Sequence, residues 1–461
     1  MLKKLAIAAC ILSFTVSHAQ MAVFKKGDRV VFTGNSITDG GHYHSYIWLY
    51  YMTRFPNERI DVFNAGIGGD VAGQIYQRLD DDVFSHKPTV ITLTFGMNDV
   101  GYFDFLKPKP QADSIAKVRI QTSYDSYKKI EARFKALPNV KKILIVSSPY
   151  DETVKGMKNY FPGKSKAMLE VAAFQEAAAK ENGWGLVDFN RPMTAINQAK
   201  QQQDSLYTMC GVDRIHPSND GHMVMAYIFL KAQGLANKDV ADITVDAASK
   251  TATQQTNCTV TNVKGADNNI SFTYLANALP YPADTIPRGW NEKKSQNDGL
   301  KLVNFTDEFN REMLTVKGLS SDKTYKLTID STVIGSFTGS QLQQGINMAL
   351  CTFTPQYKQA LRVMYLNEER WEIERRLRQY YWLEFSFFRD KNILYADNEA
   401  ALDTLDANMP KNIFLGGNRD TYLKARFPEI RQTWHEEMDL LVNKIYAINK
   451  PVKHTISVTG M

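Results

Sequence analysis

The sequence predicts an α/β protein built on a three-layer, five-stranded parallel sheet, with a small β-rich module and C-terminal helices appended. Three observations carry that prediction. Short β-branched runs alternate with longer helix-like stretches as far as about residue 235, the pattern of βαβ units. From about Asp242 the pattern changes to short segments of period 2, rich in Thr, Val and Asn. From Pro355 onward the chain turns helical and highly charged.

The strands expected in the first region are Val30–Thr33, Ile60–Asn64, Thr89–Phe95, Lys142–Ser147 and Gly185–Phe189. Between them lie helical stretches over Tyr43–Arg54, Val71–Phe84, Ser114–Ala136, Ser165–Glu181 and Asp220–Ala232. Right-handed crossovers then place helices on both faces of the sheet, and ligands gather at the carboxyl ends of its strands. In the β module, Tyr325–Asp330 and Val333–Phe337 read as a hairpin turning at Ser331-Thr332. Ala278–Pro282 and Pro287–Trp290 interrupt the module as turns or an extended loop. In the C-terminal region Glu372–Arg376 and Glu374–Arg378 are i,i+4 pairs, the mark of a solvated helix face. A second amphipathic helix is expected over Ile430–Ile448, with Thr455–Val458 returning as a closing strand to the β module.

The expected division is therefore a leader over residues 1–19, a catalytic-type α/β domain over 20–240, the β module over 241–354 and the helical region over 355–461. Lys3 and Lys4 precede an apolar run over Leu5–Val16, and Ser17-His18-Ala19 supplies small residues where a signal peptidase cuts, so the chain is expected to be exported, periplasmic or extracellular. Ile7-Ala8-Ala9-Cys10 is lipobox-like, but the apolar run ahead of Cys10 is too short for lipidation to be the expectation. No later run is long enough to span a bilayer. A formal charge of +6, with no basic block or aromatic-basic array, excludes a nucleic-acid footprint. Cys210, Cys258 and Cys351 remain after the leader, an odd and widely spaced set that is neither a disulfide framework nor a metal knuckle; buried thiols are favoured over one bridged pair.

The chemistry concentrates at three strand ends. Arg29–Thr33 runs into Gly34-Asn35-Ser36, where an α/β protein presents a nucleophile. A serine hydroxyl needs a base, and the base an orienting acid. In Asp213-Arg214-Ile215-His216 the carboxylate precedes the imidazole by three residues, so it can reach one ring nitrogen while the other faces a pocket. Taken alone this spacing is equally a loop Asp capping the following turn. Asn64-Ala65-Gly66-Ile67-Gly68-Gly69-Asp70 follows the second strand, where a glycine N–H approaches a substrate closely; alone it is only a strand-to-helix turn. Gly96-Met97-Asn98-Asp99 follows the third, and the Asn98 amide either donates to the same oxygen or caps a turn. The His42, His44 pair lacks the acidic or thiol partners of a metal site and reads as rim or helix packing. Trp371, Tyr380, Tyr381 and Trp382 read as core rather than sugar-stacking aromatics, and His86 and His222 as packing or surface residues.

Together, and in this order, Gly34-Asn35-Ser36, Gly69, Gly96-Met97-Asn98-Asp99 and Asp213-Arg214-Ile215-His216 resemble the four blocks of the SGNH, or GDSL-type, hydrolases over residues 28–235. The resemblance implies a flavodoxin-like sheet and assigns Ser36 as nucleophile, His216 as general base and Asp213 as its orienting acid. It makes the Ser36 N–H, the Gly69 N–H and the Asn98 side chain the oxyanion donors, with Gly69 preferred to Gly68 because it directly precedes Asp70. No cofactor or metal is implied. The first block usually reads Gly-Asp-Ser, and Asn35 departs from it while remaining able to accept turn hydrogen bonds.

The expected function is an exported serine esterase removing O-acyl, above all O-acetyl, groups from a carbohydrate or another small ester through an acyl-enzyme. A lysophospholipase is the alternative within enzymes, and Asp39, His42, Tyr43 and His44 near Ser36 hint at a polar mouth against it. An inactive glycan-binding protein is the alternative outside enzymes, and the complete Ser-Gly-Asn-His set argues against it.

Overall fold

The computed structural model describes residues 21–156, 158–266, 268–289 and 292–461; the expected leader lies outside the described residues. Val30, Val31 and Phe32 are fully buried, and they form β1 (Arg29–Gly34), the strand that leads to Ser36. With β2 (Asp61–Gly66), β3 (Val90–Phe95), β4 (Lys141–Val146) and β5 (Gly185–Asp188) it makes a five-stranded sheet in the order β2-β1-β3-β4-β5. Every pairing in it is parallel. The fold is the three-layer α/β architecture expected, with the strands in their expected places.

After β1 comes the single-turn helix α1 (Ser36–Asp39), then α2 (Tyr43–Arg54), α3 (Ala72–Gln77), α4 (Lys109–Lys135), α5 (Lys164–Asn182), α6 (Asn190–Gln201) and α7 (Asn219–Ala232). α2 packs beside α7, and α4 beside α3 and α5. The strand side chains alternate accordingly: Phe32 meets Tyr43 of α2 and Phe229 of α7, while Phe95 stacks on Tyr127 of α4 and Phe174 of α5.

Two departures in this region have local causes. The helix expected over Val71–Phe84 is α3 followed by a π turn at Leu79–Val83 and a 3₁₀ turn at Phe84–His86. Arg78 sits at the break, fully buried, with its guanidinium bonded to two backbone carbonyls and two carboxylates. Helix α6 went unread; the face it buries holds the amides Asn190 and Asn197 beside Met193 and the partly buried Ile196, so few apolar residues mark it.

The second region adds β6 (Ala241–Asp246), β7 (Thr251–Thr256), β8 (Cys258–Ala266), β9 (Asn269–Ala276), the short helices α8 (Gln296–Leu300) and α9 (Phe305–Phe309), then β10 (Glu312–Lys317), β11 (Thr324–Ile329), β12 (Thr332–Thr338), α10 (Gly339–Gln344) and β13 (Ile346–Asn347). The third region holds α11 (Pro355–Leu383), α12 (Glu399–Asn408), α13 (Ile413–Ala425), α14 (Pro428–Ile448) and β14 (His454–Gly460). The β module is two sheets, ordered β13-β10-β6-β7 and β12-β11-β14-β9-β8. One apolar core lies between them, with Ile243, Val245, Leu314 and Val316 from the first and Phe272, Tyr274, Leu327, Ile456 and Val458 from the second. The closing strand β14 does return to this module, and it enters the middle of the sheet, antiparallel to both β11 and β9. The hairpin β11–β12 turns one residue earlier than expected, at Asp330-Ser331, where Asp330 takes a φ of 52°.

The excursion over residues 278–310 does not follow the module it interrupts. Tyr281, Phe305 and Phe309 join the core of the α/β region, and the Leu279 N–H donates to the Thr53 carbonyl at 2.9 Å. The largest correction concerns α11. Arg370, Glu374 and Arg378 are 2%, 7% and 3% exposed, so the face read as solvated is an interior one. Glu374 pairs back to Arg370 at 2.9 Å rather than forward to Arg378, whose guanidinium reaches Asp82 instead. The other expected pair does lie outward: Arg376 is exposed, and Glu372 sits 3.6 Å from Arg375. Among the described residues no helix is long and apolar enough to cross a membrane, and Cys210, Cys258 and Cys351 are free thiols.

Because Ile456 is fully buried in β14, Ile456→Ala is expected to cost about 2–4 kcal/mol. Calorimetry should then show a lower unfolding transition for the β module; a wild-type transition would contradict a central position for β14.

Candidate active site

Ser36 stands at the carboxyl end of β1 because the strand stops at Gly34 and Asn35 caps the next turn. The Asn35 side chain accepts from the Ile37 N–H at 3.1 Å, which starts α1 with Ser36 as its first residue. The structure brings Ser36 together with the Asp-x-x-His pair 180 residues on: Ser36 Oγ lies 2.8 Å from His216 Nε2. His216 Nδ1 lies 2.5 Å from Asp213 Oδ2. An ionised carboxylate only accepts, so Nδ1 carries the proton and Nε2 is left to accept from the serine.

Asp213 is held by more than the ring. Its Oδ1 accepts the Ile215 and His216 amides at 2.9 and 3.0 Å. Partial desolvation, which alone would raise the Asp213 carboxyl, is outweighed by these bonds and by His216, and it titrates below the usual carboxylate range. The loop is pinned by Arg214, which takes a φ of 65°, donates from Nη1 to the Asp151 carbonyl at 3.0 Å, and accepts from the Asp151 N–H at 3.0 Å. The side chains of His216 and Asp213 remain 49% and 44% exposed, so the dyad opens directly to solvent.

The loop after β2 approaches α1 closely. A Cβ on Gly66 would fall 2.2 Å from the Asp39 amide nitrogen, so only glycine fits there. The Gly68 N–H is taken by Asp39 Oδ2 at 2.9 Å. Gly69 follows with a φ of 91°. Among the described residues neither the Gly69 N–H nor the Ser36 N–H has an internal acceptor. Of the two glycine N–H groups, Asp39 occupies that of Gly68 and leaves that of Gly69 facing no internal acceptor among the described residues.

Asn98 reaches the same place from β3. One of its amide hydrogens goes to the Asp70 carbonyl at 2.9 Å, and its oxygen accepts from Tyr102 Oη at 2.5 Å. Its loop is tied from beneath. Lys164, fully buried at the start of α5, donates to the Met97 and Gly101 carbonyls, with its ammonium 3.7 Å from the Tyr102 ring centroid. Burial pulls the Lys164 amine down to about 7. Asp99 accepts from Gly96, Ala72 and Ser123 at 2.8, 2.9 and 2.7 Å, which joins the β3 turn to α3 and α4.

Under these loops lies a buried ionic cluster. Arg78 bonds Asp70 at 2.6 Å and Asp82 at 2.5 Å, together with the carbonyls of Ala65 and Gly34, both at 2.9 Å. Arg378 adds a bidentate pair to Asp82 at 2.7 and 2.8 Å. Burial alone would raise Asp82, but Arg378 and then Arg78 outweigh it and hold the carboxyl at about 2.

Arg78 and Lys164 went unread in the sequence, since a lone basic residue in a helix reads as surface, and Arg378 was read only as one half of a solvated pair. The expected polar mouth is also corrected: His42, Tyr43 and His44 are buried. His42 stacks on Trp371 with centroids 3.9 Å apart, and His44 lies 3.1 Å from the Thr38 carbonyl, so both rings are committed to packing. Trp371 and Tyr380 are core residues, as read. A cavity of about 500 Å³ between β2, α11 and α14 is lined by His86, Arg370 and His435 among others, and its lining includes none of Ser36, Asp213 or His216.

Residues 32–224 match the GDSL-like lipase/acylhydrolase family, and residues 361–450 match the diltiazem deacetylase C-terminal helical domain. A solved structure described as a gut microbial diltiazem-metabolizing enzyme is 50% identical, with a TM-score of 0.92, covering 96% of this chain and 99% of that one. The chain belongs to the GDSL-like lipase/acylhydrolase family. It is a carboxylic ester hydrolase. An acetylxylan esterase of Geobacillus stearothermophilus is 27% identical over 232 residues, which are 45% of this hydrolase and 94% of that protein. A solved structure of a catalytic mutant of that esterase is 22% identical, covers 46% of this chain and 96% of its own, and has a TM-score of 0.36.

Asp39 gives this hydrolase a pH signature. Burial raises its carboxyl to about 6, with Arg378 opposing. A carboxyl raised on folding binds its proton more tightly in the native state, so stability from this group falls as pH rises from about 4 to about 6 and is level above. Thermal melts across a pH series should therefore show Asp39→Asn gaining on wild type over that interval, with no further gain from pH 7 to 8. A difference independent of pH would contradict the assignment.

Proposed function

We propose that this hydrolase is an exported serine esterase that removes O-acetyl groups, with Ser36 as nucleophile, His216 as general base and Asp213 as its orienting acid. The observation that supports this reading best is the unbroken chain of contacts from Ser36 Oγ to His216 Nε2 at 2.8 Å and from His216 Nδ1 to Asp213 Oδ2 at 2.5 Å. Export rests on the leader-like start of the sequence.

In the acylation half, Ser36 Oγ attacks the ester carbonyl carbon as His216 Nε2 takes its proton. The imidazolium so formed keeps its Nδ1–H on Asp213. The carbonyl oxygen becomes an oxyanion, met by the Ser36 N–H, the Gly69 N–H and the second hydrogen of the Asn98 amide. Collapse breaks the bond to the alcohol oxygen, which leaves with the proton from Nε2, and an acetyl ester remains on Ser36. Water then enters, gives its proton to His216 and adds to the acetyl carbon; collapse breaks the bond to Ser36 Oγ, which takes the proton back from Nε2, and acetate is released.

The substrate class we propose is an O-acetylated carbohydrate, in keeping with the acetylxylan esterase relative and with a dyad open enough to admit a bulky alcohol. A second reading is favoured by the whole-length relative at 50% identity: an O-acetyl group on a drug such as diltiazem. Exposed apolar side chains fit that reading. Val212 adjoins Asp213 and is 87% exposed, and Phe103 adjoins Tyr102 and is 76% exposed.

Released acetate, measured from acetylated xylan and from diltiazem with wild type and Ser36→Ala, tests both. Ser36→Ala is expected to lose at least ~10³-fold in kcat with its melting temperature intact, and Asn98→Ala on the order of 10²–10³-fold. A series of 4-nitrophenyl esters should peak at acetyl. A peak at long chains would replace the acetyl reading with a lipid one, and equal turnover by Ser36→Ala would remove the catalytic assignment.

A further inference from the structure

Three side chains of α11 address the oxyanion loop at a matched spacing. Glu374 Oε1 accepts the Asn64 N–H at 3.0 Å, Arg378 Nε donates to the Gly66 carbonyl at 3.1 Å, and Trp382 Nε1 donates to the Gly68 carbonyl at 2.9 Å. Four helical residues rise ~6 Å, and two extended residues ~6.6 Å, so residues four apart on the helix meet residues two apart on the strand. One stripe of α11 therefore holds β2 and its continuation as far as Gly68.

The last of these contacts bears on the reaction. The Gly68 carbonyl and the Gly69 N–H belong to one peptide unit, planar and trans, so fixing the carbonyl fixes the direction of the N–H. Flanked by two glycines, with Gly69 at a φ of 91°, this unit has little of its own to prevent it from rotating. Asp39 holds the Gly68 N–H on one side and the Trp382 indole holds the Gly68 carbonyl on the other. A donor on the carbonyl also polarises the N–H of the same amide.

We propose that Trp382 is a positioning residue of the oxyanion hole: its indole N–H locks the Gly68–Gly69 peptide plane so that the Gly69 N–H faces the oxygen that becomes negative. This rests on the assignment of Ser36 and Gly69 above, and it makes the C-terminal helical region part of the catalytic apparatus, acting from behind the loop without touching substrate. The effect belongs to the transition state, because the ground-state carbonyl carries far less charge. It therefore appears in kcat and leaves KM in place.

Trp382→Phe keeps an aromatic ring beside Phe414, whose ring centroid lies 6.3 Å from that of Trp382, and removes only the N–H donor and part of the ring. With 4-nitrophenyl acetate, kcat and kcat/KM are expected to fall together on the order of tenfold, less than the 10²–10³-fold that loss of a whole donor costs. KM should stay within about twofold and the melting temperature within about 2 °C, since a single partly exposed hydrogen bond is a small part of the stability of a chain this long. Asn98→Ala serves as the reference, a direct loss of one donor from the same site. If Trp382→Phe turns over at the wild-type rate while Ser36→Ala is inactive, the positioning role is overturned and the catalytic assignment stands. If Ser36→Ala keeps its activity, the catalytic assignment falls and the inference with it. A fall in rate matched by a rise in KM, or by a melting temperature many degrees lower, would mark Trp382 as a substrate contact or a packing residue and equally overturn the proposal.

Discussion

The contact between Arg378 and Asp82 is the one on which the rest of the site depends. It crosses from the C-terminal helical region into the turn after α3, and through Asp82 it reaches Arg78, whose guanidinium ties the ends of β1 and β2 together at the Gly34 and Ala65 carbonyls. Charges this deeply buried are costly to desolvate and gain little over apolar packing of the same shape. Removing one partner, though, leaves the other uncompensated at ~3–5 kcal/mol. The two arginines and the two aspartates therefore stand or fall as a set. What such a cluster supplies is direction, since each guanidinium satisfies carbonyls at fixed angles where aliphatic side chains would allow the strands to slide.

The site divides between an exposed Asp-His pair and a deeply buried frame. Asp213 and His216 open to solvent, whereas the groups that set their partners in place are enclosed: Lys164 beneath Asn98, Asp99 between three elements, Arg214 behind the dyad. The loop after β3 and the loop that carries Asp213 and His216 are thus each held by enclosed polar side chains. That separation suits an esterase, because the oxyanion donors must be oriented before charge develops, while the alcohol side of the substrate needs room.

Much of the fold could be read from the chain. β-branched runs such as Val30–Thr33 are buried on both faces, so their composition marks them wherever they lie. The Asp-x-x-His spacing could be read because a single turn carries both side chains. Other features were closed to such reading for physical reasons. A Glu and an Arg four residues apart give the same pattern whether water or another protein element solvates them, so the inner face of α11 looked like an outer one. The stripe that α6 buries has only Met193 and Ile196 as large apolar side chains, with the amides of Asn190 and Asn197 beside them, so its inward face is short and sparsely marked. Which glycine N–H stays free after β2 depends on where the Asp39 carboxylate falls, a fact of tertiary geometry. The excursion over residues 278–310 looked like an irregularity of the β module, because turns and short helices do not advertise which core receives them.

The position of β14 governs the order in which the molecule can form. Its neighbours β9 and β11 are both in place before α11 is made, yet the gap between them closes only when residues 454–460 arrive, with the whole helical region intervening. Until then β9 and β11 each present an unsatisfied edge, and the apolar faces of Phe272, Tyr274 and Leu327 lack Ile456 and Val458. Loop closure over so long a separation is slow. The α/β region, built from local βαβ units, can assemble early, while the β module waits for the helices to fold and deliver its central strand. The module acts in effect as a clasp: its central strand comes from the far side of the helical region in sequence, so the β module and α11 are joined at both ends of that region.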